Sequence, residues 1–476
     1  MVSINKSRGD RSLRSLVDPD NGLIARDTYV NEAIYHQELE QIFSRAWLFV
    51  GHETQVPNPG DFIGSRMGEE EVILVRDRKD KRLHVFLNSC RHKGMKVCRY
   101  DDGNTLVFTC PFHGWSYDTD GRLVGVPYYN DAYSKELDKS KWGLHEVAQI
   151  TNYHGAIWAT WDPKAPSFED YVGSWAPSIQ HCFQSTDGAD NGVELFSPVM
   201  KWRIPTNWKF PGFSFAGDAA HVAMTHRSVN AASIGPQGNR EGGERSPMTA
   251  PFPSQAYSSA DHGLGHGGQN TIYEKTGARP YRDTWHTVPG VDEYYRMTNE
   301  KKQKKYAGKY MPPGGHGGGH FCIFPNVILD HWRILLWHPH GVGETESWRM
   351  FQVDKEAPKL VKDAQRRYVM RYCGPGGLTE SDDMENWNYA FPASLGTIAQ
   401  RLDYNFGMGL GHAHPDEEWP GVTLNYRISE EPARARFRRW LEFMEASSWD
   451  DIHPVKKDKN NPSAIYREHH GARKQS

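Results

Sequence analysis

CRHKGMKVCRYDDGNTLVFTCPFHG, residues 90–114, decides how the rest of the chain is read. Cys90 and His92 stand two apart, Cys110 and His113 three apart, and seventeen residues separate the pairs. Cys thiolate and His imidazole are ligands for zinc or for iron–sulfur clusters. Zinc fingers usually pair Cys with Cys and His with His. Here each pair mixes the two. A two-iron cluster with two Cys on one iron and two His on the other needs that mixture, because each loop then gives one ligand to each iron. Replacing two thiolates by neutral imidazoles also lessens the negative charge on the cluster and raises its potential. Gly94 and Gly114 follow the pairs, where backbone has to bend tightly round the sulfides. Cys98 falls outside the pattern and reads as a small packed residue.

The surroundings of this stretch are β-rich. DFIGSRM (61–67), EVILVRD (71–77), LHVFLNS (83–89), TLVFTC (105–110) and AIWATWD (156–162) are short runs separated by Gly, Asp and Asn. They predict an all-β domain over 45–165 with the ligand pairs on two hairpin-like loops. Arg76, Arg78, Lys79, Lys81, Arg82, Arg91, Lys93, Lys96 and Arg99 lie in this region, opposed in sequence only by Asp77 and Asp80. The group reads either as a solvated β edge or as a docking rim for an acidic electron donor, with Arg91, Lys93 and Trp115 nearest the ligands.

With 476 residues the chain has room for two or three domains. Residues 1–44 read as a polar arm followed by a helix that begins at Asn31; the second half, 166–476, mixes strands and helices. KWRIPTNWKFPG (201–212) predicts a strand and turn, and FAGDAAHVAMTH (215–226) a helix. The Gly- and Ser-rich 231–270 and PPGGHGGGH (312–320) read as loops, the first as a loop or lid. Helices are expected over 295–308, 356–374 and 430–445, and strands at FCIFPNVIL and HWRILLWHP. The fold class expected is therefore α+β. A net charge of −3 gives no bias toward nucleic acid or anionic membrane. Six cysteines make no disulfide framework, the first residues are polar, and no apolar run reaches about 18 residues. These features predict a cytoplasmic protein.

A cluster that moves one electron leaves more than 300 residues without a task. Asp218, His221 and His226 sit in one short segment, and ESDDMEN (380–386) is an acidic cluster far downstream. Two His and one carboxylate with open positions form the facial triad of non-haem Fe(II) oxygenases. On a regular helix Asp218 and His221 are about 60° apart, but His221 and His226 about 140° apart. Both rings can reach one ion only if the helix is irregular between Ala219 and Arg227, and a π-type turn is the device expected.

C-R-H-x17-C-P-F-H-G-W resembles the Rieske [2Fe–2S] signature of aromatic ring-hydroxylating dioxygenases, and the resemblance extends over about 30–430. NWK (207–209), followed by G-D-A-x-H-x4-H, is similar to the iron-binding segment of the large subunit. GPGGLTESDDMENW (374–387) is similar to the segment that supplies the third ligand. The resemblance implies an antiparallel Rieske domain inserted in a larger α+β catalytic domain of helix-grip, START-like type. It implies a Rieske cluster on Cys90, His92, Cys110 and His113, and mononuclear Fe(II) on His221, His226 and Asp383, with O2 as co-substrate. Asp218 then resembles the bridging carboxylate that links a Rieske histidine, His113, to His221 across a subunit boundary. Asp382 reads as a neighbouring or solvated acid. Several family members carry Asn four residues before the bridging Asp, where this chain has Ser214.

The same resemblance implies a small β subunit in an α3β3 hexamer, a ferredoxin, an NAD(P)H-dependent reductase and cis-dihydroxylation of an aromatic ring. Pocket candidates are Ser214, Phe215, Ala219, Val222, His320 and Arg333. Arg333 reads either as a clamp for an aryl carboxylate or as an outward-facing strand residue. Alternatives are a Rieske monooxygenase, an electron carrier and a zinc-binding interaction protein.

Overall fold

The computed structural model describes residues 12–452 apart from 190–191, 197, 216, 228–255, 272–284, 286–287, 308–318, 331, 378, 417–418, 420 and 427. The chain divides into two compact units. One is Phe43–Phe168; the other comprises Met1–Ile42 and Glu169–Ser476. The first is therefore an insertion in the second.

The inserted unit is built from antiparallel strands. Leu83–Leu87, Glu70–Arg76, Asp61–Met67 and Asp102–Asn104 form one sheet in that order. Leu123–Gly125, Ser116–Asp118 and Val107–Thr109 form a second, and Gln149–Tyr153, Ala156–Thr160 and Leu48–His52 a third. Val72 to Val75 are buried in succession, so this strand is covered on both faces. Phe62, Ile73, Val75, Phe86, Phe108 and Tyr117 form a core that also encloses Cys90 and Cys110. Trp115, expected on the docking rim, is 4% exposed and belongs to this core. Its place is decided by alternation: Trp115 and Tyr117 share the inward face of one short strand region.

The larger unit is organised by a ten-stranded antiparallel sheet. Its strands are β1 (Val193–Leu195), β2 (Met200–Ile204), β3 (Ala256–Ala260), β4 (Gly267–Thr271), β5 (Gly319–Ile323), β6 (Val327–Leu329), β7 (Arg333–Pro339), β8 (Thr345–Asp354), β9 (His414–Pro415) and β10 (Thr423–Tyr426). The order is β1-β8-β7-β6-β5-β4-β3-β10-β9, with β2 also paired to β8. Helices α1 (Glu32–Glu38), α2 (Val222–Thr225), α3 (Pro289–Tyr306), α4 (Lys359–Cys373), α5 (Glu380–Ser394) and α6 (Glu431–Glu445) complete the frame. Val291, Tyr295, Val361, Tyr368, Phe351 and Val353 share one core cluster, in which α4 packs on β8 and α3 on α4. Helix α6 packs on β3, β4 and a π-turn at Phe210–Ser214.

Part of the stretch expected as a loop or lid is sheet. Residues 228–255 lie outside the described residues, but 256–260 and 267–271 form the hairpin β3–β4. Its Gly and Ser content follows from crowding: a Cβ at Gly268 would stand 2.2 Å from the His320 carbonyl oxygen. Glycine permits a close strand pairing here, so the composition that signals a loop belongs to a strand. Of 312–320, residues 312–318 lie outside the described residues and 319–320 open β5. Among the described residues, no helix is long and apolar enough to cross a membrane.

The arm before the inserted unit is part of the larger one. Asn31 caps α1 by accepting the Ala33 and Ile34 N–H groups. Glu38, 0% exposed, pairs with Lys209 Nζ at 2.6 Å and accepts from Trp208 Nε1 (2.9 Å) and Trp440 Nε1 (2.7 Å). A carboxylate buried this deeply is tolerated because a cation and two indoles satisfy it.

Candidate metal centres

In the inserted unit the two ligand loops share one hydrogen-bond pattern. Cys90 N–H donates to Met95 O (2.8 Å) and Gly94 N–H to Cys90 O (2.9 Å). Cys110 N–H donates to Trp115 O (2.8 Å) and Gly114 N–H to Cys110 O (3.0 Å). The fourth residue after each cysteine is a glycine in the left-handed region, with φ of 75° and 72°. Both cysteines are buried, and the His92 and His113 ring centroids are 4.5 Å apart at 78°. The His92 ring stacks on Trp115 at 4.9 Å and 9°. Its Nδ1 is buried without a hydrogen-bond partner, and burial, with His113 and Lys93 nearby, lowers its pKa. A neutral imidazole with an orphaned nitrogen suits a ligand position. The Tyr117 hydroxyl, which accepts the Arg91 N–H at 3.1 Å, lies 3.2 Å from Cys90 Sγ. Sequence reasoning missed it; its signal is the alternation Trp115, Tyr117 down one strand face.

Around the loops, the basic residues find partners beyond Asp77 and Asp80 as well as Asp80 itself. Lys79 meets Asp118 (2.5 Å), Lys96 meets Glu71 (2.6 Å) and Arg82 meets Asp80 (3.6 Å). Arg91 is exposed over the Trp142 ring at 5.6 Å, and Lys93 is exposed beside His92.

In the larger unit, His221, His226 and Asp383 each offer one donor atom, all within 4.8 Å of one another. Nε2 of His221 and Nε2 of His226 both lie 3.4 Å from Asp383 Oδ1. Two donors about 2.1 Å from a common first-row ion stand about that far apart. The opposite ring nitrogens face carboxylates: His221 Nδ1 lies 3.6 Å from Asp218 Oδ2, and His226 Nδ1 lies 3.4 Å from Asp382 Oδ2. A carboxylate behind each imidazole fixes which nitrogen faces an ion. Two neutral-capable imidazoles and one carboxylate fit ferrous iron in an oxygenase site.

The expected π-turn is absent from this segment. Thr225 N–H donates to His221 O (2.8 Å) and His226 N–H to Val222 O (3.3 Å), so α2 is a single α-turn. His226 leaves helical backbone at φ −96°, ψ 23°, and the rings reach inward from the two ends of that turn. Asp218 Oδ1 accepts the His221 N–H at 3.1 Å, and outside α2 the described residues of the expected helix 215–226 are non-helical. The π-turn of this region lies upstream at Phe210–Ser214.

Burial pushes Asp383 up to about 7, although His221 opposes the shift. His221 is itself raised: burial lowers it, but Asp218 and Asp383 outweigh burial. Burial, reinforced by the charge of His221, lowers His226.

Phe215 walls the site, with its ring 6.1 Å from His221, 5.2 Å from His320, 5.7 Å from Trp337 and 5.9 Å from Trp387. Ala219 is buried, Val222 half-buried, and Ser214 ends the π-turn. His320 Nε2 lies 3.2 Å from the Phe215 carbonyl, and burial brings its pKa down to about 4. Arg333 is neither outward-facing nor a vacant clamp. Its Nη2 and Nε lie 2.5 and 2.6 Å from Asp330 Oδ2, and Nη1 donates to Cys373 Sγ at 3.0 Å. The turn ILDHWR places the acid three residues before the Arg, which is the signal the sequence carried. Trp337 and Trp387 went unread as well. Trp387 lies four residues after Asp383, hence on the same helix face.

Known proteins share this order of domains. Residues 46–141 match the Rieske [2Fe-2S] domain and residues 186–390 the ring hydroxylating alpha subunit catalytic domain. The biphenyl dioxygenase subunit alpha of Paraburkholderia xenovorans strain LB400 is 35% identical over 457 residues, covering 93% of this chain and 95% of that protein. The benzene 1,2-dioxygenase subunit alpha of Pseudomonas putida is 33% identical, covering 95% and 97%. The structure of naphthalene 1,2-dioxygenase from a Rhodococcus species, bound to indole, superposes with a TM-score of 0.73 at 30% identity, covering 90% and 95%. With two metal-binding domains in this order and relatives matched nearly end to end, the chain belongs to the alpha subunits of the Rieske non-haem iron aromatic ring-hydroxylating dioxygenases, oxidoreductases that use a [2Fe–2S] cluster, mononuclear iron and O2.

Proposed function

We propose that this chain is the oxygenase subunit that adds both atoms of O2 across an aromatic double bond of a neutral arene, giving a cis-dihydrodiol. The observation that carries the reading is the convergence of His221, His226 and Asp383 beside the aromatic wall of Phe215, Trp337 and Trp387. The substrates in the relatives' names, biphenyl and benzene, are uncharged arenes. Arg333, already held by Asp330, leaves the carboxylate reading without its clamp.

Cys90, His92, Cys110 and His113 would hold the cluster, and His221, His226 and Asp383 the mononuclear iron. Bound there, the two centres supply electrons and an oxygen-activating metal. Asp382 orients the His226 ring by accepting from its Nδ1, and Asp218, 3.6 Å from His221 Nδ1, sets a negative charge behind that ring. Asp218, with a side chain 37% exposed, keeps an edge on which His113 of a neighbouring copy would donate. Phe215 and its indole neighbours press the ring of the substrate into place and exclude water. A small β subunit, a ferredoxin and an NAD(P)H-dependent reductase complete the system in this reading.

The test is turnover of biphenyl and naphthalene with ferredoxin and reductase supplied under 18O2. Two labelled atoms in one cis-diol are expected; one labelled atom makes the protein a monooxygenase. Three irons per chain are expected; two make it an electron carrier.

A further inference from the structure

Asp383 is gripped from both sides along its helix. Glu380, three residues before it, opens α5, is 1% exposed and receives Nη2 of Arg349. Arg349 is 0% exposed and projects from β8. Its Nη1 donates to Ser347 Oγ (2.9 Å) and Trp348 O (3.0 Å), and its guanidinium lies between the rings of Trp202 (5.0 Å) and Trp337 (4.8 Å). Trp202 stands on β2, opposite Ser347 in register, and its Nε1 reaches Met384 Sδ at 2.8 Å. Met384 is the residue after Asp383. The paired strands β2 and β8 thus hold α5 at one residue on either side of the carboxylate. Thr379, at the helix N-cap, makes no side-chain cap; its hydroxyl donates instead to Tyr372 O at 3.0 Å. The register of the first turn therefore depends on the tertiary grip rather than on a local cap.

A buried ion pair is not needed to stabilise a fold, since apolar residues of like volume do as well, but it does fix geometry where a charge must find its partner. We infer that Arg349, Glu380 and Trp202 are positioning residues: they set the place of the Asp383 carboxylate relative to His221 and His226, and with it the iron affinity and ligand geometry. The indole of Trp337, stacked on Arg349, carries the same frame to the substrate wall through Phe215 and Trp387. This inference rests on the iron reading proposed above.

The test uses the full chain, with the visible spectrum of the Rieske cluster as an internal standard. Fe(II) dissociation is measured by chelator competition, and ligand geometry by the EPR signal of the ferrous nitric oxide adduct. Glu380→Gln keeps volume and shape; Trp202→Phe keeps an aromatic ring but removes the N–H that reaches Met384; Arg349→Met removes the charge. Each is expected to weaken iron binding, by roughly 10- to 100-fold for Arg349→Met and less for the other two, and to shift the nitrosyl signal. Arg349→Lys, which restores a cation, is expected to recover part of the affinity. Should Arg349→Met fail to fold, Glu380→Gln and Trp202→Phe still decide. Lower thermal stability with wild-type iron affinity and an unchanged nitrosyl signal would make the grip structural only and overturn the inference. A His221→Ala chain that keeps its third iron overturns the iron reading instead, and the two failures are thereby separated.

Discussion

The two metal-binding regions solve one problem in opposite ways. In the inserted unit each loop delivers its Cys and His within four residues, and a glycine at φ near 70° closes each loop on itself. In the larger unit, His226 and Asp383 are brought together by α2, α5 and the sheet behind them, across more than 150 residues of chain. One site is a property of two turns; the other exists only when the whole unit is folded. A local site survives damage elsewhere in the chain, whereas an assembled site registers every element that frames it.

The sharpest break between them is ligand removal. Asp383→Ala or His221→Ala is expected to abolish turnover and reduce iron from three to two per chain, while the visible spectrum of the cluster stays intact. Cys110→Ser should do the reverse, bleaching the chain and sparing the ferrous nitrosyl signal. Iron analysis with visible absorption on both variants checks the pair, and coupled loss of both centres from either change would erase the contrast.

A step smaller is Asp382→Ala, which strips the carboxylate from behind His226. Iron affinity should fall by roughly 10- to 100-fold, with the ligand set unchanged. Dissociation kinetics of the single iron measure it.

Acidity probes the same asymmetry. Without metal, Asp383 titrates at about 7, well above its unfolded value of 3.8, so the folded state binds the proton more tightly. The metal-free fold therefore gains stability as pH falls from about 7 toward 4 and loses it as pH rises through that window. Iron competes with that proton, so its affinity should decline by up to about tenfold per pH unit below 7. Chelator competition between pH 8 and 5.5 reads this directly, and a flat profile would place the carboxylate elsewhere.

The smallest effect belongs to the local site. Tyr117→Phe removes the hydroxyl that faces Cys90 Sγ. A hydrogen bond to a ligand sulfur favours the reduced cluster, so its loss should lower the potential. At about 0.5–1.5 kcal/mol for one electron, the fall is about 20–65 mV. Protein-film voltammetry resolves that difference.

This contrast also governs what could be read from residues alone. The spacing of Cys90, His92, Cys110 and His113 is a local fact, so the cluster loops were legible. The strands Asp61–Met67 and Glu70–Arg76 were legible for the same reason, since short β-rich runs bounded by Gly and Asp are written in consecutive residues. For the mononuclear site, two histidines and an acidic run could be seen, but only the likeness to a family selected Asp383. Its framing residues Arg349, Glu380 and Trp387 carry no spacing signal toward His221. The hairpin β3–β4 was hidden because close strand approach demanded glycine, which mimics a loop. Trp115 was misplaced on the surface because neighbouring charge drew attention from its inward register. The π-turn went to the wrong segment: the geometry showed that something irregular was needed, yet a short turn met the need.

The contact between Glu38 and Trp440 has a bearing on synthesis. A ribosome makes the Glu38 carboxylate 402 residues before the Trp440 indole. The segment 43–168 is complete long before that contact can form, so the cluster-bearing part can mature while Glu38 still waits for Trp440. A truncation that removes α1 would strand Lys209 in the interior, and a catalytic fragment beginning at Glu169 is for that reason the wrong piece to express.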